Sequence, residues 1–223
     1  MSAYTLDTDA AKQADSGNGR ISETGKYIGQ FTKAKKVLST KGTQGIEFTF
    51  QANNGMTADY LSMWTINADG DHIFGFKQLM ALMTCLKTHT IDTQRATVEE
   101  YDNASNGMVK REAEVYPALM GKSIGVLLQM EEYQKKDGSI SEKAAFAGFF
   151  DPQTEQIASE ILDKSEAHNL EKMVAQLVPI KRLKGVRTGA TSQTTDVHSS
   201  GGPAFDDSIP FAPFMGGKNG LAI

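Results

Sequence analysis

Ile46-Glu47-Phe48-Thr49-Phe50-Gln51, then Asn53-Asn54-Gly55, then Thr57-Ala58-Asp59-Tyr60-Leu61-Ser62-Met63-Trp64-Thr65-Ile66: this stretch decides the fold. Successive side chains of a strand point to opposite faces, so the first run places Ile46, Phe48 and Phe50 together on one side. Asn-Asn-Gly is turn chemistry, because Asn and Gly tolerate the positive φ that a tight connection demands. The third run alternates again, separating Leu61 and Met63 from Tyr60, Ser62 and Trp64. A β-hairpin with one apolar and one partly aromatic face is the expectation.

Working outward, Gly25 to Leu38 has strand character and is joined to the hairpin by the turn Ser39 to Gly45, which makes a three-stranded meander. Downstream, Asp69-Gly70-Asp71 offers a cap for a helix from about Ile73 to Lys87, whose Phe76, Leu79, Met80, Met83 and Leu86 recur at helical spacing. Residues 90 to 114 are polar and read as an extended insertion or long loop around Asp102 to Gly107. Ser123 to Tyr133 is a fourth strand, Lys135 to Gly138 a turn, and Lys143 to Phe150 a fifth strand. Residues 154 to 178 read as one or two helices, stopped by Pro179. The chain thus divides into a flexible leader, 1–23, a domain, 24–187, and a disordered tail, 188–223, in which 17 of 36 residues are Gly, Pro, Ser or Thr. Three strands, a helix and two strands is the element order of an OB-fold. The expected class is mainly β with α: a five-stranded OB-fold-like antiparallel barrel plus helices and the tail.

With 223 residues and 39% apolar side chains, the chain can bury one sizeable core. No segment has the length and apolarity of a membrane span, and the polar first twenty residues lack the blocks of a signal peptide, so the expected location is cytoplasmic. The single Cys85 excludes an internal disulfide. The net charge of -4 hides an uneven distribution: Lys26 to Lys41 holds five lysines and no acid, and Lys172 to Arg187 five basic residues and no acid. Local basic surface, not net charge, is what attracts phosphates.

Binding single strands without reading sequence requires cations for phosphates and aromatic faces for unpaired bases. Lys33, Lys35 and Lys36 near the first strand, Tyr60 and Trp64 on the third, Lys122 at the entrance to the fourth and Phe149 in the fifth are the candidates. The tail carries Phe205-Asp206-Asp207-Ser208-Ile209-Pro210-Phe211, two carboxylates followed by a compact apolar hook suited to a partner's pocket rimmed by basic groups.

This layout resembles the phage-type single-stranded DNA-binding proteins. The similarity rests on Gly25-Lys26-Tyr27, Pro117-Ala118-Leu119-Met120-Gly121-Lys122, Gly148-Phe149-Phe150-Asp151-Pro152 and the tail motif. The resemblance implies a coat that protects single strands during replication, recombination and repair. It also implies a tail recruiting partner enzymes through Asp206, Asp207, Ile209, Pro210 and Phe211, and the cytoplasm of a host cell as the location. In that family the motif closes the chain, whereas here Ala212 to Ile223 follow it. No cofactor or metal is expected, and self-association into a homo-oligomer stays open. Two rivals remain: a protein-interaction or virion adaptor built on the same barrel, and a magnesium nuclease using Glu47, Asp59, Asp69 and Asp71. Gly121-Lys122-Ser123 lacks the upstream glycine and following helix of a phosphate loop, and the four histidines are scattered.

Overall fold

The computed structural model describes residues 19–102, 105–135 and 137–183. Seven strands form one antiparallel sheet: β1 (Gly25–Leu38), β2 (Gln44–Ala52), β3 (Thr57–Ile66), β4 (Gln94–Asp102), β5 (Gly107–Val115), β6 (Ser123–Gln134) and β7 (Ile140–Phe150). Helix α1 (Phe74–Cys85) lies between β3 and β4, and the short helices α2 (Ala158–Asp163) and α3 (Asn169–Gln176) follow β7.

The quoted hairpin is present, with Ile46 opposite Met63 and Phe48 opposite Leu61. β1 is the hub. Its C-terminal part pairs with β2 and its N-terminal part with β6, which pairs in turn with β7, giving the hydrogen-bonded path β3-β2-β1-β6-β7. The expected closed barrel is corrected. The sheet curls until Phe146 on β7 meets Phe31 on β1 and Phe48 on β2, with ring centroids 5.9 and 5.5 Å apart, but no ladder joins β3 to β7 among the described residues. Phe31, Phe48, Phe50, Leu61, Ile124 and Leu128 are buried inside the curl, under α1 with its Leu79, Leu82 and Met83. Gly75 brings α1 onto β3: a Cβ there would lie 2.0 Å from the Trp64 carbonyl oxygen.

Two expectations fail. Residues 90–114 are not a loop; β4 and β5 pair over their whole length from Gln94–Val115 to Asp102–Gly107. The hairpin stands out as an arm, joined to the rest of the sheet by one register pair, Lys35 with Val115, and the adjacent bond from Tyr116 N–H to the Ala34 carbonyl at 2.8 Å. The Asp69-Gly70-Asp71 segment does not cap α1, whose N-cap is Ile73 without a side-chain bond. Asn67 instead organises that turn, its Oδ1 accepting from the Asp69 and Asp71 N–H groups at 3.0 and 2.8 Å.

The two short helices are held by a carboxylate. Glu160, 3% exposed, accepts the backbone N–H groups of Ile157, His168 and Asn169 at 2.8–2.9 Å, so one side chain caps both helices. Gln129 fastens the residue before β1 to the segment after α3. Its Nε2 donates to Thr24 Oγ1 and to the Val178 carbonyl, its Oε1 accepts from Val178 N–H, and Thr24 Oγ1 donates to the Pro179 carbonyl at 2.7 Å.

Candidate nucleic-acid interface

β3 leaves its ideal path at Asp59-Tyr60, where the register to β2 shifts between Phe48 and Phe50, and Tyr60 takes φ +59°. A bulge of this kind re-aims a side chain, and a left-handed backbone costs a non-glycine residue about 1–3 kcal/mol. The result is a ring 55% exposed on the outward face, followed by Ser62 and by Trp64 at 36%. Trp64 stands opposite Gly45, and the bare glycine lets the indole lie against the sheet: a Cβ on Gly45 would be 2.8 Å from indole Cε3.

The same face carries two of the expected lysines. A bulge at Thr32 puts Lys33 opposite Thr49 and Lys35 opposite Glu47. Lys33 Nζ sits 5.6 Å from the Tyr60 ring centroid, within cation–π range. The fold therefore brings Lys33, Lys35, Tyr60 and Trp64 onto one face of β1-β2-β3. It does not bring the others there. Lys36 is in register with core Ile46, leaves that face and pairs with Glu114 at 2.9 Å. Lys122 lies at the start of β6 and donates to Thr88 Oγ1 at 2.8 Å. Phe149, expected as a stacking surface, is corrected to a core residue: it is 3% exposed, opposite buried Val126, with its ring 5.1 Å from that of Phe146. Asp206, Asp207, Ile209, Pro210 and Phe211 lie outside the described residues.

The arm and the acids are what sequence reading missed. The arm curls along the face and leaves a groove of about 610 Å³ whose sheet wall includes Lys33, Asp59 and Tyr60 and whose arm wall includes Val98, Tyr101 and Met108. The lysines of this face are already engaged. Glu47 lies 3.2 Å from Lys33 and 3.6 Å from Lys35, and Glu100 of the arm binds Lys35 directly. Burial would raise the Glu100 carboxyl, but the hydrogen bond and charge of Lys35, helped by Lys33 and Arg111, hold it below the ordinary value. A sequence signal for the arm did exist: two nine-residue runs flank Asn103-Ala104-Ser105-Asn106, with Thr97, Val98 and Val109 as strand formers. Their polarity masked it.

No protein-family model matches the chain, and no curated protein matches it either. The face must be read from its own chemistry.

Among the described residues, no group of three or more His, Cys, Asp or Glu side chains is placed to hold a metal ion. The acids of the nuclease alternative are dispersed: Glu47 is taken by lysines, Asp59 lines the groove, and Asp69 and Asp71 sit in the Asn67 turn. Cys85 is buried in the core, its thiol pushed up to about 12 by burial and by the nearby Asp151 charge. At neutral pH it is a protonated packing group, not a nucleophile.

Proposed function

We propose that the chain is a sequence-tolerant single-stranded DNA-binding protein with an OB-fold-like core, and that the outward face of β1-β2-β3 is its binding surface. The observation that carries the reading is the row Tyr60, Ser62, Trp64 standing outward on one strand with Lys33 and Lys35 beside it. Unpaired bases would stack on Tyr60 and Trp64 at about 1–3 kcal/mol per base, and the lysines would take the backbone phosphates. The bulge supports this, since a strained backbone that exposes an aromatic ring gains nothing for packing. In the same reading, Asp206, Asp207, Ile209, Pro210 and Phe211 recruit replication or recombination proteins in the cytoplasm.

The test is a titration with poly-dT, following Trp64 emission at low and high salt, with duplex DNA as control. Saturable quenching that weakens with salt and is absent for duplex is the expected result. Absence of both quenching and a gel shift would overturn it.

The adaptor reading is favoured by one observation: Lys33, Lys35 and Lys36 are each held by a carboxylate, while Phe74 and Leu38 are 73% and 70% exposed. A protein adaptor would show no salt-dependent oligonucleotide binding.

A further inference from the structure

The lysines on the outward face of β1-β2-β3 are held in internal ion pairs. Lys33 and Lys35 have only 15% and 17% of their side chains exposed, and carboxylates stand where phosphates would. One of those carboxylates is movable. Glu47 belongs to β2, fixed in the sheet by ladders on both sides. Glu100 belongs to the arm, whose backbone, among the described residues, bonds to the sheet only around Lys35, Val115, Ala34 and Tyr116. It sits well out along β4 from the base at Gln94, so its contact with Lys35 ties a distal point of the arm down across the face. Lys36–Glu114 adds a second tie near the base. Outward from the buried Val98 and Val115, the arm's remaining side chains are exposed or partly so. Its position therefore depends on charge pairing more than on apolar burial.

We infer that the β4–β5 arm is a carboxylate latch, in which Glu100 occupies Lys35 in the free protein and the phosphates of an incoming single strand displace it, freeing the arm to swing from the groove. The inference rests on the DNA-binding reading. The exchange is a swap of one anion for another on the same ammonium group, so no ion pair is lost in the open state. The arm's release uncovers the groove wall at Tyr60 and leaves Tyr101, 46% exposed, on a movable element beside it. The protein alone also gains a guard against other anions, because any competitor must outdo a tethered carboxylate.

Glu100→Gln removes the latching charge with almost no change of shape. Glu112→Gln is the matched control: the same charge change on the same arm, on an exposed side chain of β5 that lies outside the groove lining and has no ion pair among the described residues. With poly-dT, Glu100→Gln is expected to bind about 3- to 10-fold more tightly at low salt, with a salt slope steeper by about one released ion. Glu112→Gln should change affinity by less than about twofold. Hydrogen exchange without DNA gives a second readout: in Glu100→Gln the amides of 94–115 should exchange faster while β1, β2 and β6 stay protected. Unchanged exchange and unchanged affinity, with wild type still binding poly-dT, would overturn the latch and leave the DNA-binding reading standing. Equal effects of the two variants would also overturn it, as plain loss of negative charge. Faster arm exchange with no poly-dT binding by any form would sink the DNA-binding reading, and the phosphate exchange with it.

Discussion

The curled core and the β4–β5 arm are built from the same antiparallel pairing, yet they are held in place by different forces. In the core, Phe31, Phe48, Phe50 and Phe150 are fully buried and β1 has strand partners on both sides. Among the described residues of the arm, only Val98 and Val115 are buried; beyond the backbone joint at Lys35 and Val115, its side-chain ties to the sheet are Lys35–Glu100 and Lys36–Glu114. Apolar burial is neither screened by ions nor titrated by acid, whereas ion pairs are both. One molecule thus combines a region that solvent ions leave alone with a region that they can release.

The contrast is sharpest under truncation. Phe48→Ala should cost about 3–5 kcal/mol in urea unfolding, through lost burial and a cavity facing Phe31 and Phe146. A loss under about 1 kcal/mol would mean that the core is looser than its packing. Val98→Ala, the same kind of change in the arm, should cost at most about 1.5 kcal/mol and show itself mainly as faster exchange in 94–115. Acid divides the regions in another way. Because the Glu100 and Glu114 carboxyls are held below the ordinary 4.5, their pairing is intact above that value and is lost as pH falls through the depressed values. Arm exchange should therefore rise below about pH 4.5, while tryptophan emission, reporting the sheet, stays native-like; simultaneous loss of both would erase the distinction. The smallest effect is expected at Tyr60→Gly, where relief of the positive φ should leave stability unchanged or raise it by up to about 1 kcal/mol. The same variant should weaken poly-dT binding, and intact binding would remove Tyr60 from the interface.

How much of this was legible in the sequence follows the same division. The five core strands and α1 were readable because each carries a period that burial enforces, as in Ile46, Phe48 and Phe50. The facing of Tyr60 and Trp64 was readable for the same reason: Leu61 and Met63 had to point inward. The arm was not, since strands with Glu99, Glu100, Lys110, Arg111, Glu112 and Glu114 have little apolar alternation to display. Phe149 was misjudged because an aromatic near a strand end has no local marker of which side is covered; its burial depends on Val126 and Phe146. The pairing of the lysines was illegible for a further reason. Their partners, Glu47, Glu100 and Glu114, come from three other strands, so a run without acids in sequence became a cluster with acids in space.

The polar knot of Thr24, Gln129, Val178 and Pro179 ties the residue before β1 to the segment that follows α3. A single amide side chain on β6 thus acts as a rivet through two segments 155 positions apart in sequence, and removing it would loosen both at once.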